Sequence, residues 1–186
     1  MCRCYRVHEP SSDLVAAAKQ AVETESDGAP DDAVIDSIVD NTDGELTDGD
    51  VGTLAAAFAI RRAVFVDEQG VDPALEWDDV ETDATHLLLV ANEEPIGAAR
   101  ARLVDAETIK AERVAVRRST RGEGCGRQLM DAIEAVGVAA DASRCVLHAQ
   151  RRVEGFYHAL GYRTVSEEFV EAGIPHVKME RLLSPR

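Results

Sequence analysis

Hydrophobic positions along this chain fall into blocks of two periods, and from residue 50 onward those blocks predict an alternation of helices and strands. Leu54, Ala57, Phe58 and residues 60–64 recur at helical spacing, so a helix is expected to open near Asp50. An acidic loop follows, as far as Asp83. The apolar runs 86–91 and 96–104, joined by Asn92-Glu-Glu-Pro95, read as an antiparallel hairpin, and residues 108–116 add a third strand. A helix bearing Leu129, Met130, Ile133 and Val136 is expected to run to about Asp141, followed by a buried strand at 145–149. Residues 153–160 read as a short helix stopped by Gly161, and strands at 162–165 and 176–182 close the sheet. The pattern predicts an α/β architecture, a mixed sheet with helices on both faces.

The first fifty residues lack this clarity. Residues 14–22 predict a short helix capped by Ser12 or Asp13, while 23–50 are mostly Asp, Glu, Gly, Thr and Ser, a linker composition. Apolar residues at 34–39, or the shorter Glu45-Leu46, are the candidates for a strand preceding the first helix of the domain. The expected division is an acidic, partly disordered N-terminal extension at 1–50 and one domain at 51–186.

Charge bears on habitat and partners more than on fold. The chain has 35 acids against 20 bases, a formal net charge of -15, and its only lysines are Lys19, Lys110 and Lys178. Such a surface repels nucleic acid. Self-repulsion of this size is screened within roughly 3 Å at 1 M salt, so the expectation is a halophilic source, such as a halophilic archaeon. No apolar stretch reaches the ~20 residues that span a bilayer, and Met1-Cys-Arg-Cys-Tyr-Arg is no signal peptide, which predicts a cytoplasmic protein without a membrane partner. Of the four cysteines, Cys125 lies in a glycine loop and Cys145 in a strand, which argues against structural disulfides. Cys2-x-Cys4 has no second pair at matching spacing, so no metal site is expected.

The segment with most chemical content is Arg121-Gly-Glu-Gly-Cys-Gly126, between the strand ending Arg113-Val-Ala-Val116 and the helix that carries Leu129. A strand turning through glycines into a helix leaves backbone N–H groups and the positive end of the helix dipole facing outward, a cradle for phosphate. Arg113, Arg117, Arg118, Arg121 and Arg127 crowd the same segment, with Glu123 as its single interior acid. The loop ends Gly126-Arg127-Gln128 and not Gly-Lys-Ser/Thr, which argues against a nucleotide P-loop; glycines at 122, 124 and 126 do not fit Gly-x-Gly-x-x-Gly.

Arg121-x-x-Gly124-x-Gly126 after Val114-Ala-Val116 resembles the acetyl-CoA motif of the GNAT superfamily of N-acetyltransferases. Residues 59–70 resemble the first helix and loop of the ElaA-like subgroup, residues 155–162 the second cofactor motif, and residues 171–179 the last strand. The resemblance runs from about Val51 to the C-terminus. It implies the GNAT fold, with a mostly antiparallel central sheet, and an enzyme passing an acetyl group directly from acetyl-CoA to a primary amine of a small molecule or peptide. The cofactor would lie between the strand ending at Val116 and the strand ending at Ala149, against Val114, Ala115, Val116 and the loop Arg121, Gly122, Glu123, Gly124, Cys125, Gly126 and Arg127. Backbone N–H near Val116 would polarise the thioester carbonyl. Tyr157 is implied as the general acid for the leaving thiolate.

For the general base, Glu112 is the leading choice, because even spacing puts it on one face with Val114 and Val116. His86, His148, Glu68 and a water-mediated route stay open. Cys125 and Cys145 are read as small apolar residues and not as nucleophiles. The loop Glu76-Trp-Asp-Asp-Val-Glu-Thr-Asp83 either steers a cationic amine or is plain salt adaptation, the latter preferred, and Trp77 is an acceptor contact, a lid or a loop anchor. Dimers are common in families of this kind, so a homodimer stays open as a partner while the sequence leaves the oligomeric state undetermined. A non-catalytic acyl-CoA-binding regulatory module is the competing reading.

Overall fold

The computed structural model describes residues 2–25 and 51–184. Among them eight strands form one mixed sheet in the order β1-β2-β3-β4-β5-β8-β6, with β7 also pairing β8. Strands β1 (Cys2–His8), β2 (Thr85–Ala91), β3 (Glu94–Asp105) and β4 (Thr108–Val116) make an antiparallel series. β4 pairs in parallel with β5 (Arg144–Gln150), which pairs antiparallel with β8 (Ile174–Leu182). β6 (Arg163–Thr164) and β7 (Phe169–Glu171) are short partners of β8.

Both faces of the sheet are buried, which explains why residues 86–91 read as a continuous apolar run and not as an alternation. Leu88, Val90, Ala98 and Ala115 face α1 (Ser12–Glu25) and α2 (Val51–Arg61). Leu87, Leu89, Ala99, Ile109 and Ala111 face the other layer, built from α4 (Cys125–Ala139) and α5 (Glu154–Ala159). Every residue of α2 from Gly52 to Arg61 is buried, as expected of a helix apolar on all sides. The helix continues as a π-helical stretch, Arg62–Glu68, and a short α3 (Pro73–Glu76) follows, with Asp72 accepting from the Ala74 N–H at 2.9 Å.

The N-terminus departs from the sequence reading. β1 lies in register along β2, from Cys2↔Ala91 to His8↔Thr85, and Val7, Val15, Ala18 and Val22 join the α2-side core. Residues 2–25 are therefore part of the same packed body as 51–184 and not an extension to it. β1 escaped prediction because it is an edge strand, buried at Val7 while Cys2, Arg3, Arg6 and His8 are exposed. Ser11, not Ser12 or Asp13, caps α1, its Oγ accepting from the Leu14 N–H at 3.2 Å. The candidate strands at 34–39 and 45–46 lie outside the described residues. β7 is a further strand the pattern did not show; Ala172 and Gly173, both at positive φ, turn it into β8.

Candidate active site

The site begins with a defect in β4. Between the pairs Arg100↔Glu112 and Ala98↔Ala115, β4 carries one residue more than β3, and Arg113 sits at φ +51. Such a bulge bends the strand and inverts the alternation beyond it. Ala111 therefore packs with the α4 side, and beyond the bulge Val114 and Val116 do so too while Ala115 faces α2. Glu112, before the bulge, lies on the α2 face. The expectation that Glu112, Val114 and Val116 share a face is thus overturned. The left-handed backbone of Arg113, which costs an L-residue about 1–2 kcal/mol, is held by its side chain: Nη2 donates to the Leu75 carbonyl at 3.0 Å, and Nε lies 2.9 Å from Glu76 Oε2.

Just before the bulge the sheet opens. Parallel pairing of β4 and β5 runs from Thr108↔Arg144 to Ala111↔Leu147 and stops there. Glu112 on one strand and His148 on the other are the first residues past the fork, and a cleft of about 930 Å³ occupies the gap. Arg117 N–H bonds back to Ile96 of β3, so by alternation the N–H and C=O of Val116 face away from β3, into the opening. Arg121 Nε takes that carbonyl at 2.9 Å. The Val116 N–H is left toward the cleft.

The glycine loop closes one end. Gly122 and Gly124 adopt φ +87 and +88, and a Cβ on either would meet nothing within 4 Å. Their conformation demands glycine, yet the space before them is open on the outer side. Gly124 is the N-cap of α4, and the Gln128 N–H is bonded to the Gly124 carbonyl at 3.1 Å, so the N–H groups of 124–127 precede the first intrahelical bond. Gly126 packs closely, since a Cβ there would sit 3.0 Å from Phe156 Cζ and press on that ring. These features, open space, the N–H groups of a helix N-terminus and a strand edge that among the described residues has no partner on the β5 side beyond Ala111, fit the diphosphate and extended arm of coenzyme A.

The remaining sequence choices are distributed unevenly. Val114, Val116, Arg121, Gly122, Gly124, Cys125, Gly126 and Arg127 line the cleft; Ala115 is buried toward α2, and Glu123 is exposed outside the lining. Arg121 was expected to offer its guanidinium to phosphate, but Nη1 and Nη2 grip both oxygens of Glu68 at 2.7 Å. That pair ties the end of the π-helical stretch to the cradle and keeps the Glu68 carboxyl below its usual range. Cys125 is buried with its Sγ 3.5 Å from the Thr120 carbonyl, and burial raises its thiol pKa. Cys145 is pushed up to about 12 by burial. Neither suits a nucleophile.

Tyr157 lines the cleft from the α5 side, between the rings of Phe156 and Tyr162 at 4.9 and 5.9 Å. Burial raises its phenol to about 12, so it carries its proton at neutral pH. Glu112 also lines the cleft, but Arg100 Nε donates to it at 3.1 Å, Lys110 Nζ lies at 2.8 Å and Arg102 Nε at 3.5 Å. Burial pushes its pKa up, and the charges of Arg100 and Lys110 more than offset this, leaving it lowered.

Beneath the α2 face runs a buried ion network that the sequence reading took for surface acidity. Glu76 and Glu81, each 2% exposed, hold Arg61 at 2.6 and 2.8 Å, and Asp78 takes both ends of Arg100 at 2.6 and 2.8 Å. Burial opposes ionisation of Asp78, yet Arg100 and Arg113 hold its carboxyl down to about 2. Glu76, Asp78 and Glu81 of the acidic loop are therefore counter-ions to Arg61 and Arg100, while Asp79 and Asp83 are exposed. Trp77 is the loop's anchor, with the Phe58 ring 5.1 Å away and Arg61 over its face at 5.2 Å. His86 is wholly enclosed, Nε2 donating to the Glu81 carbonyl at 2.9 Å; burial and the Arg61 charge push it down to about 4.

Residues that sequence reasoning passed over complete the cleft: Phe65, Gln69, Gln150, Glu171, Ile174 and His176. Gln150 Nε2 donates to Gln69 Oε1 at 2.8 Å, joining β5 to the end of the π-helical stretch, and His148 Nδ1 lies 2.9 Å from Glu171 Oε2. The Ala172-Gly173 turn was the one signal that could have placed Glu171 beside β5. Among the described residues no three His, Cys, Asp or Glu are grouped to hold a metal, and no helix is long and apolar enough to cross a membrane.

Residues 54–183 match the acetyltransferase (GNAT) domain family. The chain is 41% identical over 127 residues to the uncharacterized N-acetyltransferase YjcF of Bacillus subtilis (strain 168), covering 68% of this chain and 90% of that protein. It is 35% identical over 135 residues to protein ElaA of Escherichia coli (strain K12), covering 70% and 88%. The crystal structure of Escherichia coli ElaA superposes with a TM-score of 0.62 at 25% identity, over 97% of this chain and 99% of that one.

Proposed function

This chain belongs to the GNAT acetyltransferase family, and from that premise we propose that it transfers an acetyl group from acetyl-CoA directly to a primary amine of a small molecule or peptide. Acetyl-CoA, the co-substrate, supplies an activated acyl carbon and a thiolate leaving group. The observation that carries the reading is the fork after Ala111↔Leu147, bounded by the Gly122–Gly124 cradle at one end and Tyr157 on one side. In this reading the N–H groups of 124–127 receive the diphosphate, and the unpaired edge of β4 receives the extended arm. The Val116 N–H is aimed at the carbonyl oxygen, where charge develops. Tyr157 gives its proton to sulfur. Arg121 acts through the cradle, fixing the Val116 carbonyl and Glu68, while the exposed Arg118 and Arg127 supply positive charge at the phosphate end.

A screen of primary amines and peptide N-termini against acetyl-CoA, followed by thiol release, tests the proposal. Release of CoA with at least one amine is expected. Tight CoA binding with no release from any of them would favour an acyl-CoA-binding regulatory module instead. The screen belongs in molar KCl, because we extend the proposal to a protein adapted to concentrated salt: the formal charge of -15 survives the burial of Glu76 and Glu81, since Arg61 and Arg100 are buried beside them. Equal thermal stability in dilute buffer and molar KCl would refute that part.

A further inference from the structure

We propose that the general base of this site is His148, held by Glu171, and that its Nε2 takes the proton of the acceptor amine; the inference rests on the acetyl-transfer reading above. His148 is the first residue of β5 beyond the fork. Cys145, Leu147 and Ala149 pack into the α4-side core, so alternation puts Val146, His148 and Gln150 on the α2 face. Tyr157 belongs to the α4-side core. Base and acid therefore reach the gap from opposite faces of the sheet. Amine and thiolate are separate substituents of one tetrahedral carbon, and a base and an acid on different faces can each serve one of them.

The hydrogen bond to Glu171 selects the tautomer. A carboxylate only accepts, so the ring proton lies on Nδ1, 2.9 Å from Oε2, and Nε2 keeps its lone pair in a side chain that lines the cleft. The Phe169 ring packs edge-on against His148 at 5.0 Å and stacks on His176, fixing the imidazole. Other charged groups facing it are Lys178, its register partner on β8, and Glu112 across the fork. The rival bases are committed elsewhere. Glu112 balances Arg100 and Lys110, Glu68 is held by both arms of Arg121, and His86 is enclosed in the core.

Proton and bond changes balance without another reactant. The acceptor first loses its ammonium proton to solvent; as the neutral amine nitrogen bonds to the acyl carbon its next proton passes to His148 Nε2, and as the carbon–sulfur bond breaks, sulfur takes the Tyr157 proton. His148 then returns its proton to solvent and Tyr157 regains one, leaving amide, thiol and one proton released from the starting ammonium. Glu171 does not touch the reactants and is a positioning residue.

Two measurements test the pair. Nitrogen-15 spectra of the histidine side chains in the wild type, without substrate, should show His148 protonated on Nδ1, and Glu171→Ala should convert it to a mixture of tautomers. His148→Ala should lower kcat by ~10²–10⁴-fold, with partial rescue by imidazole and unchanged acetyl-CoA affinity by calorimetry. An Nε2–H tautomer in the wild type, unchanged kcat in His148→Ala, or loss of turnover in Glu112→Gln with His148→Ala active would each overturn the inference. A wild type that releases no CoA with any amine overturns the acetyl-transfer reading, and this inference with it. The variants are compared only after wild-type turnover is established, so the two failures are distinguishable.

Discussion

His86 links burial directly to pH stability. It is 1% exposed, its Nδ1 has no hydrogen-bond partner among the described residues, and its neighbours include the guanidinium groups of Arg61 and Arg100, opposed by Glu81. Burial is the largest cause of a pKa lowered from 6.5 to about 4. The unfolded chain therefore binds a proton near pH 6.5 that the folded protein refuses until about pH 4, and stability present above 6.5 drains away as pH falls through that window. A shift of about 2.5 units corresponds to about 3 kcal/mol in full, of which about 2 kcal/mol is gone by pH 5. Asp78, held down to about 2, lies below this window, and the arginines beside Glu81 and Glu112 lower those carboxyls as well. Urea unfolding of wild type and His86→Gln at constant high salt, from pH 7 to pH 4.5, reads the difference between the two slopes. Glutamine can keep the donor to the Glu81 carbonyl without titrating. The wild type should lose about 2 kcal/mol more than the variant over that range. Parallel slopes, or a histidine resonance for His86 titrating at or above 6.5, would refute the reasoning.

Three other substitutions probe separate parts of the molecule. Tyr157→Phe keeps the ring packing and removes the proton, so kcat should fall by ~10²-fold or more while calorimetric acetyl-CoA affinity holds; unchanged kcat would remove Tyr157 from the acid role. Gly124→Glu meets no atom of the protein but requires φ +88, so thermal stability should fall by only about 1–2 kcal/mol while CoA binding, read by calorimetry, is abolished. Gly137→Ala places a Cβ 2.6 Å from Ile109 Cγ2, so unfolding should show a loss of about 1–3 kcal/mol from overpacking, and an unchanged melting temperature would show that β4 yields.

How far the sequence could be read depended on whether the cause of a feature lay nearby. Residues 86–91, 96–104 and 108–116 announced three strands because each apolar run and its Asn92-Glu93 turn carry their own signals. The glycine turn into α4 was legible for the same reason: glycines at positive φ and the start of a helix are a local matter. β1 was not, because an edge strand needs only one buried side chain, and its pairing with β2 is made across some eighty residues. The bulge at Arg113 was invisible as well, since what holds it are the Leu75 and Glu76 groups of α3, far away in sequence.

The order of the main strands and helices from α2 onward, β7 excepted, the demand for glycine at 122 and 124, and the family resemblance followed from the chain alone, because spacing along a backbone fixes periodicity and permitted dihedrals. Charge partners did not. Whether Glu76 is a surface acid or a buried counter-ion, whether Arg121 meets a ligand or Glu68, and which face Glu112 occupies were decided by contacts between residues far apart in sequence. Coulomb and hydrogen-bond energies depend on distances that only packing sets, and one inserted residue in β4 was enough to reverse the side from which its neighbours act.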